Sequence, residues 1–268
     1  MNTDRYCYVT FVTKPDYLPG LFALVRSLKR VKSQYPLVVC IPNDNPALHE
    51  RLKSNRLLQN AVICTRPMIE LPDELKTFDH WKETFFKLSV ASLVEYDKVV
   101  AVDCDMLICK NLDHLFERPS GSAVQDVENI KAPYAESFRF NSGLFVLKPD
   151  MELFAKLCRN IGSTVRRRNA AGLMVGDQDV FNDTLCDWGS SKELWLDQKY
   201  NVLWPCLPTY EKDKHLMAKD VFVIHFIGWP KPWNCGKKEN RRILLDLLLD
   251  GKHFRLARLY NLYLRLCK

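Results

Sequence analysis

Two carboxylates stand two residues apart in the segment Val102 to Met106, at Asp103 and Asp105, directly after the apolar run that begins at Lys98. If the backbone stays extended there, both side chains share one face and can meet at a single divalent cation, which also relieves their mutual repulsion. The spacing alone is common at solvated strand ends, so a further ligand is needed to give it meaning. His225 supplies one: it closes the apolar run Val221 to Ile224 and opens a string, His225 to Trp233, that includes Gly228, Trp229 and Lys231. A neutral imidazole can complete a metal site begun by carboxylates, Gly228 permits close backbone approach, and Lys231 can offset the charge of a diphosphate. Trp229 and Trp233 are expected to pack this loop.

The elements that must position these residues follow from periodicity. Tyr6 to Thr13 predicts a first strand, and Leu21, Leu24, Val25 and Leu28 fall at helical spacing after it. Pro36 to Ile41 and Ala61 to Thr65 predict two more strands. Trp81 to Tyr96 carries a helical stripe through Phe85, Leu88 and Leu93, and Lys98 to Asp103 predicts the strand that delivers the carboxylates. Alternating strands and helices of this kind imply an α/β fold, a mostly parallel sheet with helices on both faces, in which ligands bind beyond the carboxyl ends of the strands. Further on, strands are expected at Ser122 to Gln125, Gly143 to Leu147 and Val221 to Phe226. One helix should be capped by Asp150 and another should start at Gly176. A Leu-rich helical segment should run from about Asn240 to the end, with a break near Gly251.

Bulk properties bound the function. The 268 residues, 47% of them hydrophobic, suit one large domain with a buried core and exclude disorder as the starting point. No window approaches the roughly 18 apolar residues of a membrane span, so no stable membrane insertion is expected. The start, Met1 to Arg5, lacks the basic region and cleavage site of a signal peptide, and the ten cysteines are irregularly spaced. Reduced thiols and a cytoplasmic location are the expectation. A net charge of +7 would suit nucleic acid or a phosphorylated small ligand. The basic positions Arg166 to Arg168, Arg255, Arg258 and Arg265 lack an accompanying nucleic-acid motif, so no nucleic-acid partner is expected. Leu256, Leu259, Leu262 and Leu266 form an amphipathic stripe expected to pack on the domain or on a dimer partner rather than lie on a membrane.

Six segments in this order resemble glycosyltransferase family 8, and its glycogenin branch in particular, up to about residue 235. They are Tyr8 to Thr13 with Tyr17, Lys87 in its helix, Asp103-Cys104-Asp105, Asn141 to Val146, Gly176 to Asn182, and His225 to Trp233. The resemblance implies the GT-A architecture, Rossmann-like and single-domain over 1–268. It divides into a nucleotide-binding half at 1–120, a donor-sugar and acceptor half at 121–237, and a C-terminal helical segment at 238–268. It implies Mn²⁺ held by Asp103, Asp105 and His225 beside the diphosphate of a UDP-sugar. Phe11, Thr13 and Tyr17 would surround the uridine, with Tyr17 stacking on the base, and Gly228 and Lys231 would meet the phosphates. Lys87, Asp126, Asn141, Ser142, Asp177 and Gln178 would hold the sugar, and the shared segments carry Cys104 and Gly143 to the same site. Asp177 and Gln178 are the catalytic candidates, although a residue at a helix start such as Asp177 also reads as a cap. Lys14 departs from the Asn usual in the glycogenin branch.

Retention of the α-configuration is implied, by same-face attack or by two displacements. A self-glucosylating member would carry an acceptor tyrosine shortly after the Tyr200-Asn201 pair, but Tyr210 reaches that place only with a two-residue shift and the unshifted position holds Pro208. A chain ending at Lys268 is also expected to lack the long linker and C-terminal segment of that branch. The resemblance therefore points to UDP-galactose as donor and a cytosolic protein-linked glycan as acceptor. The reference is the protist galactosyltransferases that extend a hydroxyproline-linked glycan on a ubiquitin-ligase adaptor. UDP-glucose with self-transfer, transfer to a small polyol as by galactinol synthases, and a catalytically silent UDP-sugar binder are the alternatives, and dimerisation of family relatives admits a homodimer.

Overall fold

The computed structural model describes residues 5–249 and 254–268, so the expected break near Gly251 lies outside the described residues. The strands are β1 (Tyr6–Phe11), β2 (Leu37–Pro42), β3 (Val62–Arg66), β4 (Lys98–Val102), β5 (Met106–Ile108), β6 (Ala123–Gln125), β7 (Phe140–Leu147), β8 (Trp195–Leu196), β9 (Val202–Leu203) and β10 (Val223–His225). The α-helices are α1 (Leu18–Arg30), α2 (Pro46–Lys53), the single turn α3 (Asp79–Lys82), α4 (Met151–Ala170), α5 (Asp177–Thr184), α6 (Leu207–Lys212), α7 (Lys237–Leu249) and α8 (Phe254–Leu266).

Seven strands form the main sheet in the order β3-β2-β1-β4-β7-β6-β8. Pairing is parallel from β3 to β4 and between β6 and β8, and antiparallel where β7 meets β4 and β6. Strand alternation decides which side chain goes where. Tyr8, Val39, Ile41, Val100, Val102, Leu144 and Val146 enter one core layer with α1, and Cys7, Val9, Val38, Val99, Ala101, Phe145 and Leu147 enter the opposite layer with α4 and α5. Both faces are covered, hence the continuous apolar runs noted in the sequence. From β1 the chain winds outward through β2 to β3, then returns to place β4 on the other side of β1. That reversal leaves a crevice beyond the carboxyl ends of β1 and β4.

A second, three-stranded sheet, β5-β10-β9, packs beneath this end. Its core takes Phe226, Leu256, Tyr260 and Tyr263, with the Phe226 and Tyr263 rings stacked 3.9 Å apart. The face of α8 buried on its own domain is Leu256, Ala257, Tyr260 and Tyr263, and Leu259, Leu262 and Leu266 of the expected stripe are half-buried beside it. Among the described residues no helix is long and apolar enough to cross a membrane.

Two expectations are corrected here, and one element was unforeseen. β1 stops at Phe11, two residues before Thr13. The helix expected from Trp81 is one α-turn followed by a 3₁₀ run, Glu83–Ser92, in which Phe85 to Ala91 are buried without interruption. Burial on all sides removes the polar face that would impose a 3.6-residue period, and the three-residue spacing of Phe85, Leu88 and Ala91 suits the tighter winding. Helix α2 was not expected, although Asn45, whose Oδ1 accepts from Leu48 N–H at 3.1 Å, and Pro46 at N1 form a recognisable start.

Candidate active site and metal centre

Strand pairing brings the metal-ligand candidates together. Asp103 follows the end of β4, and its N–H donates to Gly143 O at 2.9 Å, so the start of β7 runs alongside. The chain turns at Cys104 and Asp105 into β5, which pairs antiparallel with β10 and sets His225 opposite Met106. The two carboxylates therefore converge across a turn and not by alternation in extended backbone, because β4 ends before them. One carboxylate oxygen from each Asp and one imidazole nitrogen lie within 4.8 Å of one another. His225 Nε2 is 3.2 Å from Asp105 Oδ1 and 3.6 Å from Asp103 Oδ2. Two carboxylate oxygens and one imidazole nitrogen suit a divalent first-row cation.

Glycines make this convergence sterically feasible. A Cβ on Gly143 would lie 2.5 Å from Cε1 of His225, and one on Gly20 would lie 2.8 Å from the Cys104 carbonyl and 2.7 Å from Trp233. Gly143 admits the imidazole against β7, and Gly20 lets α1 approach the Asp103–Asp105 turn.

Two lysines enclose the carboxylates. Lys87 Nζ reaches Asp103 at 2.7 Å, Asp177 at 3.2 Å and the Ser142 carbonyl at 3.2 Å. Lys231 Nζ reaches Asp105 at 2.5 Å and the Phe226 carbonyl at 3.0 Å. Burial raises the Asp103 carboxyl above its ordinary value, and the pull of Lys87 and His225 does not reverse this. Burial acts the same way at Asp105, but Lys231 and His225 outweigh it and hold that carboxyl well below the usual carboxylate range. Burial disfavours charge on Lys87, yet Asp103 and Asp177 more than offset it, so the ammonium stays protonated.

The residues expected at the donor sugar form a layer behind the metal-ligand candidates. Ser142 Oγ donates to Asp177 Oδ2 at 2.8 Å, Ser142 N–H to Gln178 Oε1 at 3.1 Å, and Gln178 Nε2 to Asp126 Oδ2 at 2.6 Å. Asn141 Nδ2 donates to Asp126 Oδ1 at 3.1 Å. The capping alternative for Asp177 is met instead by Asp179, whose Oδ2 accepts from Gly176 N–H at 2.9 Å. Asp177 is left to face Lys87 and Ser142.

In front lies a cavity of about 470 Å³ lined by Phe11, Thr13, Tyr17, Lys87, Asp103, Cys104, Asp105, His225, Gly228 and Lys231 among others. Asp126, Asn141, Ser142, Gly143, Asp177 and Gln178 are not on that lining. Trp233 packs against Tyr17 and Tyr263 and donates to Asp16 O, whereas Trp229 is 59% exposed on the cavity wall, contrary to the expectation that both pack the loop. Gly228, at φ +87°, supplies the backbone conformation for that turn.

Sequence reasoning missed several lining residues. Glu83 accepts from Thr13 Oγ1 at 2.6 Å and pairs with Lys14, so the lysine that departs from the family pattern has a partner at the cavity edge. Phe78 and Trp81, packed edge to face at 5.3 Å, form an aromatic wall. Asn201 was noted only as a landmark, yet it is buried against His225. A buried amide beside a ligand has no spacing signature, so nothing in the sequence marks it. The arginines of the run 166–168 pair with Glu74, Asp183 and Asp179. All ten cysteines are free thiols.

Known proteins resemble this chain over most of its length. The sequence pattern of Glycosyl transferase family 8 matches residues 8–236. The chain is 27% identical to galactinol synthase 6 of Arabidopsis thaliana, over 88% of this chain and 75% of that protein. Identity to galactinol synthase 1 of Solanum lycopersicum is 31%, over 87% and 76%. Glycogenin-1 of Caenorhabditis elegans is 28% identical over 85% of this chain, which spans half of that protein. Among solved structures, the galactosyltransferase LgtC in complex with donor and acceptor sugar analogues superposes with TM-score 0.58 at 17% identity, over 84% of this chain and 89% of that one. The glycosyltransferase GlyE of Streptococcus pneumoniae gives 0.57 at 17% identity, over 86% of this chain and 57% of that one. At such identity the likeness speaks for the fold alone, which is GT-A-like.

Proposed function

Because the chain belongs to glycosyltransferase family 8, we propose that it is a retaining, Mn²⁺-dependent hexosyltransferase that moves galactose from UDP-galactose to a glycan acceptor. The observation that carries the reading is the convergence of Asp103, Asp105 and His225 on the floor of an aromatic-walled cavity, at the crevice beyond β1 and β4. Phe11, Thr13 and Tyr17 form the wall for the uridine. Asp103, Asp105 and His225 hold the cation, which as a Lewis acid offsets charge on the diphosphate when bound. Lys231 adds a fixed positive charge beside the leaving phosphate, and Gly228 lets the backbone approach it.

As the sugar–phosphate bond stretches, positive charge grows at the anomeric carbon, and oriented oxygens near it lower the barrier. Asp177 is held for that role by Lys87 and Ser142. Gln178 is engaged at both ends of its amide, by Ser142 N–H and Asp126, so its oxygen is fixed in place. Phe78, Trp81 and Trp229 offer apolar ring surface on the open side, where an acceptor sugar would approach.

Galactose is favoured by the names of the galactinol synthase relatives, which also support a small polyol as a second acceptor reading. Self-glucosylation is disfavoured because Tyr210 is 1% exposed and its hydroxyl donates to Pro133 O at 2.7 Å. The test is incubation with Mn²⁺ and either UDP-galactose or UDP-glucose, following UDP release and the protein's intact mass. Galactose-selective turnover without added mass is expected. Glucose-selective turnover with added hexoses would restore self-transfer, and no turnover with either donor would overturn the reading.

A further inference from the structure

Asn201 is 3% exposed and lies in the turn before β9, within a relay of amides that ends at His225. The relay has a fixed direction. Asn141 is oriented at both ends, because its Nδ2 donates to the Asp126 carboxylate at 3.1 Å while its Oδ1 accepts from the backbone N–H of Gly143 at 3.0 Å. A backbone N–H cannot accept and a carboxylate cannot donate, so the Asn141 amide cannot be reversed without losing both bonds. Its Oδ1 also takes Asn201 Nδ2 at 2.7 Å. Asn201 must then turn its own oxygen toward His225, and that Oδ1 lies 3.1 Å from Nδ1. An amide oxygen only accepts, so Nδ1 is the ring nitrogen that carries hydrogen.

We propose that Asn201 is a positioning residue that fixes Nδ1 of His225 as the hydrogen-bond donor and so turns Nε2 toward the cation site. The proposal rests on the reading of Asp103, Asp105 and His225 as a cation site. Nδ1 carries hydrogen under this arrangement whether or not Nε2 does. Nε2 and two carboxylate oxygens lie around one point, where a cation would be held. Asp126 and Asn141 acquire a second task by the same relay: they set the direction of the hydrogen bond at the metal ligand, linking the layer behind the donor sugar to the cation site. A neutral imidazole in water favours the other tautomer, with hydrogen on Nε2, and the relay opposes that preference.

The test is the tautomer of His225 in the metal-free full-length protein labelled with ¹⁵N-histidine, read from long-range ¹H–¹⁵N correlations and assigned by the signals lost in His225→Gln. The wild-type spectrum is expected to show Nδ1–H, and this result needs no variant at Asn201. Asn201→Ala should shift the ring toward the Nε2–H form and weaken Mn²⁺ binding roughly 10–100-fold, whereas Asn201→Asp, which keeps an oxygen for Nδ1, should retain Nδ1–H. A wild-type ring in the Nε2–H form would overturn the proposal, as would an Asn201→Ala variant with unchanged tautomer and unchanged Mn²⁺ affinity. Failure of the wild type to bind Mn²⁺ would instead refute the cation-site reading, leaving the tautomer measurement to judge the relay.

Discussion

Two polar clusters contain aspartates within about ten residues of each other in sequence, and they are built on opposite principles. At Asp113 four neutral donors close on two carboxylate oxygens: Tyr8 Oη at 2.8 Å, Ser33 Oγ at 2.9 Å, Asn111 Nδ2 at 2.9 Å and Gln34 N–H at 3.0 Å. The carboxylate ties β1 and the segment after α1 to the segment after β5, and its acceptor capacity is used up. At Asp103 and Asp105 the partners are ammonium groups and an imidazole, and several acceptor atoms aim at one place without a neutral donor between them. The first cluster is complete as folded, whereas under the proposed function the second takes an added cation. An aspartate's function is legible in what its neighbours leave unsatisfied, more than in its burial or its spacing.

Substitutions should separate the two clusters. The largest effect is expected from Asp105→Asn, which removes a metal ligand: metal-dependent transfer should fall by about 10²–10³-fold or more while the circular dichroism spectrum stays that of the folded protein. Full activity would break the contrast. Gly143→Ala should come next, because its Cβ would meet the His225 ring at 2.5 Å and displace a ligand without altering charge. Mn²⁺ affinity should drop roughly 10–100-fold, measurable by calorimetric titration. Asp113→Asn turns one acceptor oxygen into a donor facing donors and should cost about 1–2 kcal/mol of stability, a fall in Tm of a few degrees, with no change in Mn²⁺ affinity.

The smallest effect is a pH dependence. Burial tends to raise the Asp113 carboxyl, but Asn111, the Gln34 N–H, Tyr8 and Ser33 together hold it below the usual carboxylate range. The unfolded chain therefore binds the proton more readily at this site. Its stabilising contribution is fully present above the unfolded value of about 4 and is lost as pH falls through the folded value. The Tm of the wild type should drop more steeply below about pH 4 than that of Asp113→Asn, and parallel curves would argue against the closed cluster.

The aspartate pair, His225 and the strands that carry them were legible because strands buried on both faces leave continuous apolar runs with polar residues at their ends. Asp113 and Asn201 were not, since each depends on partners from remote segments: Tyr8 lies 105 residues from Asp113, and Asn141 lies 60 from Asn201. Glu83 and Trp81 were hidden for a different reason. They sit where an α-turn passes into 3₁₀ winding, so a 3.6-residue wheel assigns their directions wrongly. The turn at Cys104 was equally invisible, because the apolar residues Met106 to Ile108 extend the strand pattern across it.

The most direct test of the central claim is a titration of Mn²⁺ into the donor-free protein, followed by electron paramagnetic resonance, for the wild type, Asp105→Asn and Asp113→Asn. One bound Mn²⁺ in the wild type and in Asp113→Asn, with binding lost in Asp105→Asn, is the predicted result. Equal binding by all three proteins, or none by the wild type, would contradict the account.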